Sequence, residues 1–87
     1  MAKDWLDRLD LPGEQLPGLP LVEVYGHKRV LIEQHRGVTE YGRNCVCVKV
    51  KFGYIYVEGS GLELSSMNRH TLVISGCIDG VKLERRG

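Results

Sequence analysis

Apolar and polar residues alternate along most of the chain after residue 20, which predicts β-strands. The stretch Asn44 to Lys51 alternates strictly, with three valines on one face and cysteines and lysines on the other. The run that follows alternates in the same way, and a tight turn at Phe52-Gly53 would place Val50 opposite Ile55. The apolar faces of the two strands then coincide, so a half-buried antiparallel hairpin is expected here.

The opposite face of this hairpin collects basic and aromatic residues. Its members are Lys49, Lys51, Tyr54 and Tyr56. Rings interleaved with lysines on neighbouring strands resemble a stacking platform for single-stranded nucleic acid. The same pattern is also typical of the solvent side of an antiparallel sheet. The face is therefore a candidate binding surface, and a nucleic-acid-binding module is an alternative interpretation of the chain.

A second hairpin is predicted around a three-residue loop, Gly26-His27-Lys28, which pairs Tyr25 with Arg29. This register gathers four aliphatic residues on a core face. They are Val22, Val24, Val30 and Ile32.

The stretch Gln34–Gly37 fits a type I turn with glycine in the left-handed position, so Gln34 is expected to pair with Val38 in a further hairpin. His27 and His35 would then occupy surface turns at opposite ends of one strand, about 20 Å apart, so they cannot form one site.

The last part of the chain supports two interpretations. Asp79-Gly80 is a strong turn dipeptide that would set Ile78 beside Val81 in another hairpin, whereas the alternative is one bent strand with a bulge. With the strands between residues 60 and 76, the predicted fold is all-β. We expect an antiparallel meander of seven or eight short strands, curled into a small sandwich or barrel.

The first residues follow a different pattern. Trp5, Leu6 and Leu9 lie on one side of a predicted short helix, and a linker rich in proline and glycine, Leu11 to Pro20, follows. The predicted organisation is a helix and linker over residues 1–19 and a β domain over residues 20–87. The apolar side of the helix is a candidate partner-binding surface, while packing on the chain's own sheet is the alternative.

Composition narrows the classes of function. The 87 residues suffice for one domain, and 12 basic against 11 acidic residues create no overall field that would attract nucleic acid. No apolar run approaches the ~20 residues of a membrane span, and three cysteines indicate reduced thiols, so a cytosolic location is expected. No catalytic constellation is recognisable, and Cys45 and Cys47 are spaced too closely for a zinc knuckle. We therefore expect no enzymatic activity, no metal and no cofactor.

The chain from Leu21 onward resembles the YabP/YqfC family of sporulation proteins, and within it the YqfC branch. The resemblance is carried by a glycine, a turn with basic residues, a strand that ends in Ile-Glu, and then His and Gly. These positions are Gly26, Arg29, Ile32, Glu33, His35 and Gly37, with later landmarks at Gly53, Gly59, Leu62, Ile74, Gly76 and Ile78. Gln34 stands where members commonly have Asn, and Asp79-Gly80 stands where the strand usually continues.

The resemblance implies a small protein of the mother cell that endospore formation needs, and it implies no catalytic residue. Members of this branch are often encoded beside a membrane protein, YqfD, which suggests a YqfD-like partner. A cytoplasmic adaptor, peripheral at the membrane around the forespore, would follow. Exposed sheet edges offer a second route, either to a partner or to other copies in a self-assembling spore component.

Overall fold

The computed structural model describes residues 18–86, which form six antiparallel strands in a single sheet. The strands are β1 (Leu21–Tyr25), β2 (Arg29–Glu33), β3 (Val38–Tyr41), β4 (Cys45–Val50), β5 (Gly53–Met67) and β6 (Thr71–Arg85). Their order across the sheet is β1-β2-β6-β5-β4-β3, and the described residues contain no helix. The all-β antiparallel prediction is confirmed, while the predicted N-terminal helix lies outside the described residues.

The predicted hairpin around Gly26-His27-Lys28 is confirmed. Tyr25 pairs with Arg29 around the three-residue loop, and Val30 and Ile32 are fully buried. Val24 shares their face but is 52% exposed, because β1 is an edge strand and no further strand covers it.

The turn between β4 and β5 lies one residue earlier than predicted. Val50 pairs with Gly53 rather than facing Ile55, so Lys51 and Phe52 form the loop and Phe52 takes a positive φ of 70°. Gly53 is the first residue of β5 and pairs with Arg85 of β6. The two strands are so close here that only glycine fits, since a Cβ on Gly53 would lie 2.0 Å from the Glu84 carbonyl oxygen. Relative to β4, the pairing with β5 is shifted by two residues, so that Val48 faces Ile55. Because side chains alternate with a period of two, each strand still presents its predicted face to the core.

The predicted hairpin between β2 and β3 is wrong. β2 pairs with β1 and β6, and the connection Gln34–Gly37 carries the chain to the far side of the sheet, where β3 pairs with β4. In a flat sheet β2 and β3 would be about 19 Å apart, slightly beyond the roughly 18 Å that five residue steps can span. The sheet therefore curls. Gln34 begins the crossing at a φ of 64°, a conformation that Asn adopts more readily than most side chains.

The predicted hairpin at Asp79-Gly80 is also wrong, and the bent strand with a bulge is correct. Glu58 pairs with Gly80 and Gly59 pairs with Ile78, so Asp79 is the extra residue of a bulge within β6. The bulge changes which residues point inward, so that Ile78 and Val81 can both face the core. Because β5 and β6 are each one 15-residue strand, six strands replace the expected seven or eight.

The core lies on one face of the curled sheet and is almost entirely aliphatic. Its buried members are Val30, Ile32, Val46, Val48, Val50, Ile55, Val57, Leu62, Leu72, Ile74 and Ile78. Val38 packs against this cluster from β3, where it pairs with Val48 and not with the predicted Gln34.

Candidate interaction surfaces

Three of the four residues of the predicted binding face lie together on the outer side of the sheet. Lys49 pairs directly with Tyr54, and Tyr56 pairs with Cys47 two residues further along the same two strands. Lys51 does not join them, since it lies in the turn with its ammonium group 5.3 Å from the centroid of the Phe52 ring. The structure therefore divides the predicted face between two neighbouring surfaces.

Both tyrosines of this face interact with residues near the end of β6. The Tyr56 hydroxyl donates a hydrogen bond to a carboxylate oxygen of Glu84 at 3.0 Å, which raises the pKa of Tyr56 to about 12. The Arg86 guanidinium lies 5.0 Å from the centroid of the Tyr54 ring and 3.6 Å from Glu84. A base that stacked on this side of Tyr54 would have to displace Arg86.

A shallow depression beside Tyr54 is lined by three basic side chains, those of Arg36, Lys49 and Arg86. Sequence reasoning missed Arg36, because it comes from the unpredicted connection between β2 and β3. Its position follows from the hydrogen bond that its N–H donates to the Lys49 carbonyl at 2.7 Å. A depression with three cationic side chains is suited to an anionic ligand.

A second surface, here called the terminal groove, lies on the core face at the end of the sheet where β4 and β6 end and β5 begins. Its lining residues are Leu19, Pro20, Val50, Lys51, Phe52, Gly53, Tyr54, Ile55, Leu83, Glu84 and Arg85. Leu83 pairs with Ile55, yet Leu83 is 70% exposed while Ile55 is buried. The apolar face of the sheet therefore extends past the buried core, and at Leu83 no other part of residues 18–86 covers it.

The terminal groove combines apolar walls with two basic residues. Phe52 is 57% exposed beside Leu83, and Lys51 and Arg85 contribute cationic side chains to the lining. The groove encloses about 230 Å³, less than the roughly 300–1,000 Å³ typical of small-molecule pockets. It suits one or two side chains of a protein partner better than a metabolite.

Sequence reasoning missed the terminal groove. The alternation of Val81 and Leu83 predicts which face each side chain occupies, but the exposure of Leu83 depends on where the other strands end.

The described part of the chain begins beside this groove. A Cβ on Gly18 would lie 3.5 Å from the Lys51 side chain, and Leu19 and Pro20 supply one wall of the groove. The predicted partner-binding residues Trp5, Leu6 and Leu9 lie outside the described residues, so the structure does not place them. It does show that the segment carrying them joins the domain at the terminal groove.

The two outer edges of the sheet differ. β3 has a register irregularity between Val38 and Glu40, a feature that disfavours further pairing. β1 pairs regularly with β2 over all five residues, and its outer edge has no partner strand among residues 18–86. β1 is therefore the better of the two edges for strand addition.

His35 is buried, which corrects its prediction as a surface turn residue. The Gly37 N–H donates to Nδ1 at 3.0 Å, so Nε2 carries the proton and donates to the Asn68 carbonyl at 2.8 Å. The ring thereby joins the β2–β3 connection to the β5–β6 turn. His27 lies exposed at the predicted loop, near the Ile78 carbonyl, so the two histidines are indeed at separate places.

The cysteines differ in their surroundings. Cys47 is buried, Cys45 is half-buried and Cys77 is exposed, and all three are free thiols. Burial, together with the nearby carboxylates of Glu40 and Glu58, raises the pKa of Cys45. Within residues 18–86 no three potential ligands come close enough to hold a metal ion. The same range has no helix with the length and hydropathy of a membrane span.

Comparison with known proteins shows which family the chain belongs to. The chain is 28% identical over 81 residues to "Uncharacterized protein YqfC" of Bacillus subtilis (strain 168), an alignment that covers 92% of this chain and 87% of that protein. No solved structure matches the chain. Residues 20–87 match the sequence model of the YabP family. The resemblance seen in the turn glycines and core aliphatics is thereby confirmed, and the chain belongs to the YabP family.

Proposed function

We propose that this protein is a non-enzymatic adaptor of endospore formation. In this proposal it acts in the mother-cell cytoplasm, peripheral to the membrane around the forespore, and supports formation of the spore envelope by binding a YqfD-like membrane protein. The observation that carries the proposal is the terminal groove, where Leu83 and Phe52 expose apolar area beside two cationic residues. Exposed apolar area with charged neighbours is typical of a surface that another protein covers.

Family membership supports the biological setting, since the resemblance implies a sporulation protein. The surroundings of the potentially reactive groups support a binding role. His35 uses both ring nitrogens to join two connections, and Tyr56 is hydrogen-bonded to Glu84. These side chains have structural partners, and the proposal assigns them no catalytic part.

Affinity capture of the tagged full-length chain from detergent-solubilised sporulating cells tests the proposal. The wild-type chain is expected to recover the YqfD-like protein, and Leu83→Asp is expected to lose it, because a charge would enter the apolar wall. Met67→Asp is the matched control: Met67 is 51% exposed but lies at the opposite end of β5 from Gly53. Equal recovery by the wild-type chain and by Leu83→Asp would contradict the role of the groove.

A nucleic-acid-binding module is the second candidate, favoured by the depression lined by Arg36, Lys49 and Arg86. Binding of single-stranded DNA and RNA, titrated with salt, separates it from the adaptor. A site with three phosphate contacts would show a slope of log affinity against log salt of about −2 for single strands. Lys49→Glu should abolish such binding and leave capture of the membrane protein unchanged.

Self-assembly through the β1 edge is the third outcome. It predicts a mass that rises with protein concentration in light scattering and falls when Val24 of β1 is replaced by lysine or proline.

A further inference from the structure

We infer that, in the free protein, the terminal groove is occupied by the chain's own N-terminal segment, residues 1–17. The first observation is where that segment enters the domain. Gly18 lies along the Lys51 side chain, and the next two residues form a wall of the groove. The segment is therefore joined to the domain at the groove whose wall includes the exposed Leu83.

Reach favours the segment as the occupant. Leu9 is separated from Gly18 by eight residues, a linker that extends to roughly 30 Å at most. Pro12-Gly13 supplies a turn at which the chain can reverse. A tether of this length gives an effective concentration of about 1 mM. Even a weak contact, with an intrinsic dissociation constant of ~0.3 mM, would leave about three quarters of the molecules docked.

The apolar chemistry of the two surfaces also matches. The groove exposes Leu83 and Phe52 next to the buried Ile55. The segment offers Trp5, Leu6 and Leu9 at the spacing of one helical side. An aromatic ring with neighbouring leucines would cover apolar area that the curled sheet leaves uncovered.

Charge complements this match. Residues 1–17 hold four acidic side chains, Asp4, Asp7, Asp10 and Glu14, against two basic ones, Lys3 and Arg8, which is a net −2. The whole chain is +1, so residues 18–87 carry +3. The groove is lined by two cationic residues, Lys51 and Arg85, and by one acidic residue, Glu84, whose carboxylate accepts a hydrogen bond from Tyr56, so the lining carries a net +1. Attraction between the two parts therefore adds to their apolar contact.

Trp5 is the single tryptophan of the chain, so its fluorescence reports on the segment without labelling. In the full-length wild-type protein we expect blue-shifted emission. We also expect acrylamide quenching about fourfold weaker than in Leu83→Asp, which corresponds to the docked fraction estimated above. Met67→Asp should match the wild type. Arg85→Glu should give intermediate quenching, and added salt should reduce its difference from the wild type.

Three results would overturn the inference: a solvent-exposed spectrum for wild-type Trp5, equal quenching in the wild type and Leu83→Asp, or a spectrum that reverts on dilution. The last result would identify the occupant as the segment of a second copy. Because Leu83 is exposed, Leu83→Asp should fold, and circular dichroism checks that it does. The measurement needs no membrane partner, so its failure would leave the capture experiment unaffected.

Discussion

Gly59 is expected to tolerate no side chain, although its backbone dihedrals would accept one. It pairs with Ile78 at the bulge of β6, and φ at this residue is not positive, so alanine would introduce no backbone strain there. The obstacle is space. A Cβ on Gly59 would lie 1.9 Å from the Cys77 carbonyl oxygen and 3.0 Å from the Cys77 carbonyl carbon. Since both atoms belong to the backbone of β6, no rotamer change can relieve the contact.

The size of the effect follows from the movement that alanine would require. Bringing this contact even to 3.0 Å means separating β5 and β6 locally by about 1 Å, which stretches a ladder hydrogen bond from ~2.9 Å to ~3.9 Å. One or two such bonds would be lost, at roughly 1–3 kcal/mol each when their groups remain buried. We therefore expect Gly59→Ala to lower the free energy of unfolding by about 3–4 kcal/mol. A domain of this size has only about 4–13 kcal/mol in total.

Urea unfolding followed by far-ultraviolet circular dichroism measures this change, and thermal unfolding should show a fall in Tm of roughly 15–25 °C. Gly80→Ala is the matched control in the same bulge, since a Cβ on Gly80 would have no heavy atom within 4 Å. That variant should stay within about 1 kcal/mol of the wild type, with any change towards stabilisation. A loss below about 1 kcal/mol for Gly59→Ala would refute the close approach of the two strands.

Three further perturbations test separate parts of the fold. Replacing His35 by alanine should cost about 2–4 kcal/mol in urea unfolding, because the two connections lose their link and the buried ring leaves a cavity; a loss under about 0.5 kcal/mol would contradict that role. Absorbance titration should find the phenol of Tyr56 ionising near pH 12, and Glu84→Gln should bring it towards 10.0. Since the folded pKa is the raised one, the stability from this hydrogen bond is complete below pH 10.0 and lost as the pH rises through about 12. A colorimetric thiol reagent should modify Cys77 at once and Cys47 only as the protein unfolds, and equal rates would contradict their different burial.

The positions of two candidate surfaces could be predicted only in part. Lys49 and Tyr54 were placed on one outer face because alternation on neighbouring strands depends only on the parity of the register. Arg36 joined them only through a connection that crosses the curled sheet. The exposure of Leu83 likewise depends on where the remaining strands end, and no local pattern encodes that.

The sequence by itself determined the class of fold, the β1–β2 hairpin and the family, because alternation and turn glycines act over a few residues. It also determined the face of the sheet on which most aliphatic side chains lie, since a side chain's face follows from its position along a strand. Burial on that face was a separate matter, because Val24 and Leu83 lie on it and are exposed. Only the tertiary structure decided which strands are neighbours. Gln34–Gly37 and Asp79-Gly80 both resemble hairpin turns, yet the chain crosses the sheet at the first and continues through a bulge at the second. The physical reason is that β2 has two edges, one paired with β1 and the other open to either β3 or β6. Pairing with β6 buries the core more completely than a local hairpin with β3 would. The free energy that favours β6 comes from contacts between residues about 40 positions apart, which no local pattern reveals.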